Sequence, residues 1–431
     1  MKSSEVPVEQ KDLFWTPLDN AAKIFPAVRS KEHTTITRLT VVLMERIVIG
    51  HLLKAIKETE ERFPYFKVCL KKGFFWYYLE HSDSPTLVEV DKGMPCRAFK
   101  KRDNLLFRIL AYKNQISIEI SHIMTDGYGV SRFLNFLLIH YFKEMGVLQP
   151  GEYNALPDLK MDKEEFEDAY NRYFKENIPT VIHQPKAFHL PFPLQQKPRF
   201  DVLIAILSID DLKKKASGRN VSITDYLVSL YLWVLQEIIS DLKTQNVFVK
   251  NKILRIQVPI NLRNIYPSKT MRNFSLFVMP EIDLRLGHYS FDEIVKIVYH
   301  KMQLETDEKL INKILSRNVG GERNLFVRGI PLLLKSLVLN MKYYSEGANQ
   351  YSGVITNIGK IELPESISDR IDYFVITPPP PNRKLKVNCG VAGFKDKLVL
   401  SFGNITKSKE LEKRIIRFLS DQGIKIKITR Y

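Results

Sequence analysis

The sequence predicts a mixed α/β (α+β) chain built from two halves. Segments with the alternating pattern of strands and segments with the helical period follow one another along the chain. A length of 431 residues is enough for two or three domains of ordinary size. Prolines cluster between residues 146 and 199, as they do in linkers. We therefore expect an N-terminal half over residues 1–175, a crossover linker over 176–199 and a C-terminal half over 200–431.

The N-terminal half begins with well-defined strand and helix patterns. His33–Leu43, rich in Thr, Ile and Val, is predicted as a strand, and Val48–Phe63 as an amphipathic helix. Gln115–Ser121 alternates apolar and polar residues, which predicts a strand with Ile116, Ile118 and Ile120 on one face and the polar residues on the other. A short turn then leads into Val130–Glu144, whose apolar residues repeat with the helical period.

The C-terminal half continues the alternation. Ser222 or Thr224 is predicted to cap a long helix that ends near Ile239. Further predicted elements, in chain order, are a strand over 253–260, mostly helix over 291–318, a three-stranded meander over 371–376, 386–394 and 398–402, and a last helix over 408–422.

The composition favours an anionic partner. Lysine and arginine number 65 against 48 acidic residues, which gives a net charge of +17. Nucleic acid, an anionic membrane and a phosphorylated small molecule all fit this charge. We find no zinc knuckle, RNA-binding signature or basic recognition helix, which disfavours nucleic acid. The three cysteines lack the spacing of a metal site, and the absence of an apolar leader or membrane-length stretch predicts a cytoplasmic protein without a transmembrane segment.

The most informative segment is the turn between the strand that ends at Ser121 and the helix that follows. It carries His122, Asp126 and Gly127. An imidazole at a strand end is held by rigid backbone at an edge, where a general base can reach a substrate proton. Asp126 can fix the turn or pair with a cation, and Gly127 permits a positive φ or the close approach of another chain. The alternative is a structural histidine before an Asp-Gly turn.

These residues match the His-x-x-x-Asp-Gly signature of the CoA-dependent acyltransferase superfamily, which the chain resembles. That superfamily includes chloramphenicol acetyltransferase, plant BAHD acyltransferases, condensation domains of nonribosomal peptide synthesis and alcohol acetyltransferases, and the resemblance is greatest to alcohol acetyltransferase-like proteins. Similar segments in the same order are Pro17–Ala22, Val258–Arg263, Arg272–Ser275 and Ser352–Gly359.

The resemblance implies a fold of two chloramphenicol-acetyltransferase-like lobes, each a mixed sheet flanked by helices, with a tunnel between them. It implies that His122 is the general base, that Asp126 pairs with Arg263 to orient the loop, and that Asn357 or Thr356 helps to stabilise the oxyanion. Acyl-CoA would be a co-substrate without a permanent cofactor or metal, and the acceptor a small alcohol or amine. The basic segment Arg383–Lys386 would contact the CoA phosphates.

Two sequence features depart from the patterns of particular branches of the superfamily. Ser121 stands where condensation domains usually carry a second histidine, and the Asp-Phe-Gly-Trp-Gly motif of the plant branch is absent. Two alternatives remain at this point: a condensation-like domain that takes its acyl group from an acyl carrier protein, and a non-catalytic scaffold of the same fold. The acceptor, the acyl length and the oligomeric state do not follow from the sequence.

Overall fold

The computed structural model describes residues 15–99, 105–149, 151–152, 160–179 and 184–430. Within them, each half of the molecule is organised around one large sheet. The sheet of the N-terminal half contains, in spatial order, β13 (Ile371–Thr377), β2 (Ile36–Leu43), β7 (Gln115–Ser121), β6 (Phe107–Tyr112) and β5 (Val88–Val90). A smaller sheet beside it consists of β1 (Trp15–Pro17), β4 (Tyr77–His81) and β3 (Val68–Lys72).

The sheet of the C-terminal half is larger. Its spatial order is β10 (Ser275–Val278), β9 (Ile253–Asn261), β12 (Gly353–Lys360), β14 (Val387–Phe394), β15 (Lys397–Asn404), β8 (Asp201–Ser208) and β16 (Ile426–Arg430), and β11 (Glu281–Asp283) also pairs with β9. β12 runs parallel to both of its neighbours, whereas the other pairs in this sheet are antiparallel. The predicted mixed α/β class is confirmed.

Helices flank both sheets. They are α1 (Phe25–Val28), α2 (Ile49–Arg62), α3 (Gly127–Glu144), α4 (Ala169–Arg172), α5 (Ile209–Ser217), α6 (Ile223–Thr244), α7 (Phe291–Glu305), α8 (Glu308–Arg323), α9 (Leu325–Gly329), α10 (Leu332–Lys342), α11 (Glu365–Ser368) and α12 (Glu410–Asp421). Helices α2 and α3 pack together and share a hydrophobic core with the N-terminal sheet, and α6 lies in the core of the C-terminal sheet. No helix in the described ranges combines the length and apolar character needed to cross a bilayer.

Two predicted element starts are explained by capping. The Ser222 side chain accepts from the Asp225 backbone N–H while Asp225 bonds back to Ser222, so this capping box starts α6 at Ile223. Helix α3 starts at Gly127 rather than near Val130, because the Asp126 carboxylate accepts from the N–H groups of Tyr128 and Gly129. The turn that carries the sequence motif is therefore only a few residues long.

The predicted three-stranded meander is wrong in its first strand. β14 and β15 form the expected hairpin, but β13 pairs antiparallel with β2 in the other sheet, with Phe374 opposite Val41. Residues 378–381 between β13 and β14 are all proline. Proline has no N–H to donate to a hairpin ladder, and its fixed φ directs the chain away. Residues 200–431 consequently supply a strand to the sheet of the N-terminal half.

Candidate active site

Strand β7 ends at Ser121 and so places His122 directly after its last residue. Glu119 on this strand is fully buried and accepts hydrogen bonds from Arg38 Nε of β2 and Arg108 Nε of β6, each at 2.7 Å. These ion pairs tie three neighbouring strands together close to the end of β7. His122 follows directly, and its backbone N–H donates to the carbonyl of Thr35 at 2.9 Å. The backbone at His122 is thus fixed before the turn begins.

The imidazole of His122 has one nitrogen committed to the backbone. Nδ1 lies 3.0 Å from the carbonyl oxygen of Thr125, and because a carbonyl can only accept, Nδ1 carries the proton in the neutral ring. Nε2 is then the basic atom, and it accepts from the Thr37 hydroxyl at 2.7 Å. Phe25 of α1 stacks on the ring with a centroid distance of 5.7 Å. The bond to the backbone carbonyl thus fixes the tautomer of the neutral ring.

Burial lowers the pKa of His122 below its ordinary value of 6.5, although the bond to Thr125 and the charge of Asp126 act in the opposite direction. The residue as a whole is half-buried. At neutral pH the ring is therefore uncharged and its Nε2 lone pair can accept a proton.

Asp126 is directed away from the imidazole and toward the C-terminal half. Its Oδ1 caps α3, while its Oδ2 accepts from Arg263 at 2.9 Å and from the backbone N–H of Phe274 at 2.8 Å. The contact expected between Asp126 and Arg263, which are 137 positions apart, is present and almost completely buried. A carboxylate with these partners holds the loop.

Arg263 is fully engaged in this interface. Beyond Asp126, its guanidinium donates to the carbonyls of Thr270 at 2.9 Å and Arg272 at 2.6 Å and to the side chain of Asn261 at 2.9 Å. It also lies 4.4 Å from the ring centroid of Tyr128. Arg263 is therefore a bridge between the two halves, in contrast to an ordinary surface arginine.

Glycine is needed in this turn where neighbouring parts of the chain approach its backbone closely. Gly127 is the first residue of α3, and a Cβ there would meet only Ile358 Cγ2, at 3.3 Å. A Cβ at Gly129 would overlap the Thr125 hydroxyl and the carbonyl oxygen of Met271. The stronger requirement for glycine thus lies two residues beyond the one that the motif predicts.

A buried polar group beneath the turn was missed by the sequence reasoning. Asn273 donates through Nδ2 to the carbonyl oxygen of His122 and to Asp19 Oδ2, both at 3.0 Å. Arg272 lies 3.6 Å from the same carboxylate. Burial raises the pKa of Asp19 to about 6, with Arg272 acting against the shift. Asp19 and Asn273 stand within segments that carry the sequence resemblance, and that was the only signal for them.

Thr35, whose carbonyl receives the His122 N–H, is strained. Its φ is 58°, a left-handed value that is rare for a β-branched residue. Its hydroxyl is buried and has no hydrogen-bond partner among the described residues. Strained backbone and unsatisfied polar atoms persist where the surroundings enforce them, and they concentrate at functional sites.

Two further predicted residues are used elsewhere. Asn357 Nδ2 donates to the Thr224 hydroxyl at 3.0 Å and its Oδ1 accepts from the N–H of Gly359, so the expected oxyanion role has no support from its contacts. Lys386 of the basic segment donates to the carbonyls of Leu190 and Phe192, which makes it a structural residue.

A cavity of about 550 Å³ lies in the C-terminal half, between the turn after α5 and helix α7, lined by residues that include Arg219, Asn220, Lys296 and His300. It contains none of the predicted site residues. Thr37 and Phe25 contact His122 directly. The tunnel between the lobes stays a prediction.

Comparison with solved structures identifies the fold. No family model and no curated protein matches the chain. F. sporotrichioides TRI101, complexed with coenzyme A and T-2, aligns over 96% of this chain and 99% of its own at 12% identity, with a TM-score of 0.61. The trichothecene 15-O-acetyltransferase TRI3 of the same organism aligns over 98% and 100% at 10% identity, with a TM-score of 0.59.

Two other similar structures broaden the group. Polyketide synthase associated protein 5 from Mycobacterium tuberculosis covers 94% of this chain and 96% of its own, with 12% identity and a TM-score of 0.55. The nonribosomal peptide synthetase FmoA3 aligns at 12% identity and a TM-score of 0.60 over 98% of this chain but 44% of its own. The chain has the two-lobed fold of CoA-dependent acyltransferases and condensation domains, as the sequence resemblance predicts.

Proposed function

We propose that the chain is an acyltransferase that moves an acyl group, most simply acetyl, from a CoA thioester to a hydroxyl or amine acceptor. The observation that carries the proposal is the hydrogen bond from His122 Nδ1 to the Thr125 carbonyl. It leaves Nε2 as the one basic atom of a neutral ring held at the end of a rigid strand. A general base needs such an uncharged nitrogen within hydrogen-bond reach of a substrate proton.

The geometry at Nε2 supports the following reaction. The acceptor hydroxyl takes the place of the Thr37 hydroxyl at Nε2 and transfers its proton there as its oxygen attacks the thioester carbonyl. Collapse of the tetrahedral intermediate breaks the carbon–sulfur bond, and the imidazolium returns the proton to the CoA thiolate. The products are the acylated acceptor and free CoA thiol. The thioester is already activated, so no covalent acyl-enzyme is needed.

Asp126 acts in this proposal as a positioning residue. Its carboxylate binds Arg263 and the start of α3, so it holds the loop that supplies the Thr125 carbonyl. Asp19 and Asn273 support the same loop through the His122 carbonyl.

The donor has a second candidate, an acyl group on a carrier protein. The fold shared with FmoA3 and the charge of +17, which suits an acidic carrier, favour it. Both donors present a thioester on the same pantetheine arm, so the roles of His122 and Asp126 are unchanged. Activity with free acyl-CoA at ordinary substrate concentrations would select the first donor.

The test is thiol release from a panel of acyl-CoAs and acceptors, followed with a thiol reagent. His122→Ala should remain folded by circular dichroism and lose about 10²–10⁴ in turnover. His288→Ala, which alters an exposed histidine outside the site, should keep the wild-type rate. A folded His122→Ala protein with nearly full acyl transfer would refute the general-base role and leave the scaffold interpretation.

A further inference from the structure

Helices α9 and α10 expose an unusual set of apolar side chains. On α10, Leu333, Leu334, Leu337, Val338 and Met341 lie on one exposed side, and Leu333 is 76% exposed. Leu325 and Phe326 of α9 continue this surface, with Phe326 88% exposed. The turn between β3 and β4 adds Phe74 and Phe75 beside it. We call these nine residues the apolar face.

The apolar face is one fixed surface. The backbone N–H of Leu332 donates to the carbonyl of Phe74 at 2.9 Å, and Lys335 Nζ donates to the carbonyl of Phe75 at 3.1 Å. Lys335 also lies 3.6 Å from the ring centroid of Trp76. Helix α10 and the β3–β4 turn are therefore joined by directional contacts.

The amphipathicity of α10 is reversed relative to an ordinary surface helix. Its buried residues include Lys335, and Asn340 donates to the carbonyl of Ala27 at 3.0 Å. Its outward residues are the leucines, valine and methionine of the apolar face. Soluble proteins seldom expose contiguous apolar patches larger than a few hundred Å², and larger ones mark interaction sites.

The helices of the apolar face lie in a basic stretch of the chain between Glu322 and Glu346. From Arg323 to Ser345 the sequence contains two arginines and two lysines and neither aspartate nor glutamate. Arg328 in α9, before the start of α10, and Lys342 at the end of α10 are exposed, and Lys72 is exposed close to Phe74 in sequence. Two copies of this surface placed face to face would bring like charges together. An anionic partner with an apolar interior is complementary both to the positive charges and to the exposed apolar side chains.

The apolar face lies close to the proposed site. α10 packs on α1, and Phe25 of α1 stacks on the His122 ring. The short helix α1 thus lies between α10 and the imidazole.

We propose that the apolar face docks on the surface of an anionic lipid bilayer, with α10 lying in the interface and Arg328 and Lys342 contacting lipid phosphates. An interfacial helix binds through buried apolar area together with attraction of its basic residues to anionic lipid. A consequence, which rests on the proposed function, is that the acceptor is a lipophilic alcohol or amine taken from the bilayer.

Sedimentation with lipid vesicles tests the docking without any acyl transfer. The protein should bind vesicles that contain phosphatidylglycerol and bind phosphatidylcholine vesicles more weakly, with the difference reduced by salt. Leu337→Ser combined with Phe326→Ser should weaken vesicle binding by about tenfold or more, because polar groups replace the side chains that enter the bilayer. Arg328→Glu combined with Lys342→Glu should abolish the preference for anionic lipid.

Matched controls come from apolar residues exposed elsewhere. Phe248 and Leu286 are 86% and 81% exposed outside the apolar face, so Phe248→Ser with Leu286→Ser should leave vesicle binding unchanged. His122→Ala should also bind vesicles as the wild type does, which separates failure of docking from failure of the proposed chemistry.

Three results would overturn the docking proposal. One is a folded wild-type protein that does not sediment with phosphatidylglycerol vesicles. Another is equal loss of binding in the Phe248/Leu286 and the Leu337/Phe326 variants. The third is a dimer, seen by light scattering without lipid, that Leu337→Ser dissociates and that does not bind vesicles, which would assign the apolar face to a second copy.

Discussion

The two sides of the turn that carries His122 differ in how completely their polar groups are paired. On the side of the C-terminal half, the Asp126 carboxylate has four hydrogen-bonding partners, namely Tyr128, Gly129, Arg263 and Phe274. On the side of β2, the Nε2 atom is hydrogen-bonded to the Thr37 hydroxyl, and the neighbouring Thr35 hydroxyl is buried with no partner in the part of the chain that the structure describes.

This difference shows how the turn combines rigidity with a place for a substrate. Partners on the Asp126 side fix the loop and the Thr125 carbonyl that sets the tautomer of His122. The β2 side keeps unused hydrogen-bonding capacity beside the basic nitrogen, although a buried unpaired hydroxyl costs stability. Substitutions on the first side should therefore act mainly on stability, and substitutions on the second mainly on substrate binding and rate.

The largest effect on stability is expected from Asp126→Asn. Asparagine can still cap α3, but it leaves the charge of Arg263 buried without a carboxylate. Breaking one side of such a pair should lower the free energy of unfolding by about 3 kcal/mol, and the loosened loop should lower turnover as well. Urea denaturation and thiol release measure the two effects.

Asp162→Asn is the matched control. Asp162 also caps a helical turn and pairs with a cation, Lys269, at 2.6 Å, but this pair is exposed. The substitution should cost much less stability than Asp126→Asn, because an exposed ion pair is screened by solvent, and should leave turnover unchanged. Equal destabilisation by the two variants would show that burial of the Asp126–Arg263 pair is unimportant.

An intermediate effect is expected from Asp19→Asn. The folded-state pKa of Asp19 is raised to about 6 from 3.8, so the folded protein holds this proton more tightly than the unfolded chain. The contribution to stability is present below the unfolded pKa and is lost as the pH rises through about 6. Between pH 3.8 and about 6, the free energy of unfolding of the variant should increase relative to that of the wild type by on the order of 2 kcal/mol. Parallel pH profiles of the two proteins in urea denaturation would contradict this.

The smallest effect is expected from Thr37→Val. Nδ1 remains bonded to Thr125 and Phe25 still stacks on the ring, so the imidazole should keep its place. An acceptor no longer has to displace the Thr37 hydroxyl, which should lower the acceptor KM by about fivefold and change turnover little. A hundredfold loss of turnover would instead give Thr37 a direct part in the reaction.

Sequence patterns predicted the local elements of the site because their signals are local. The alternation of Ile116, Ile118 and Ile120 placed β7 with the bounds that the structure has. The capping residue Ser222 likewise placed the start of α6. The match to a known signature then supplied the contact between Asp126 and Arg263, which periodicity alone could not provide.

Contacts between residues that are far apart in the sequence could not be predicted from local sequence patterns. β13 has the same apolar character as β14, so only the prolines at 378–381 hinted that the chain leaves the sheet there. The contact between Thr37 and His122 joins residues 85 positions apart, and a threonine in a strand carries no sign of it. Asn357 lies in strand β12 and its amide donates to the Thr224 hydroxyl, so its role in stabilising the oxyanion stays a prediction that these contacts do not support.

The most direct test of the central claim is the pH dependence of kcat/KM for acyl transfer, measured as thiol release. A neutral His122 acting as base predicts a rate that rises with pH through one ionisation below 6.5 and is level at neutral pH, because burial depresses its pKa. The His122→Gln protein should lose both the ionisation and the rate. A wild-type rate that does not change across this range, or a His122→Gln protein with the wild-type profile, would contradict the assignment.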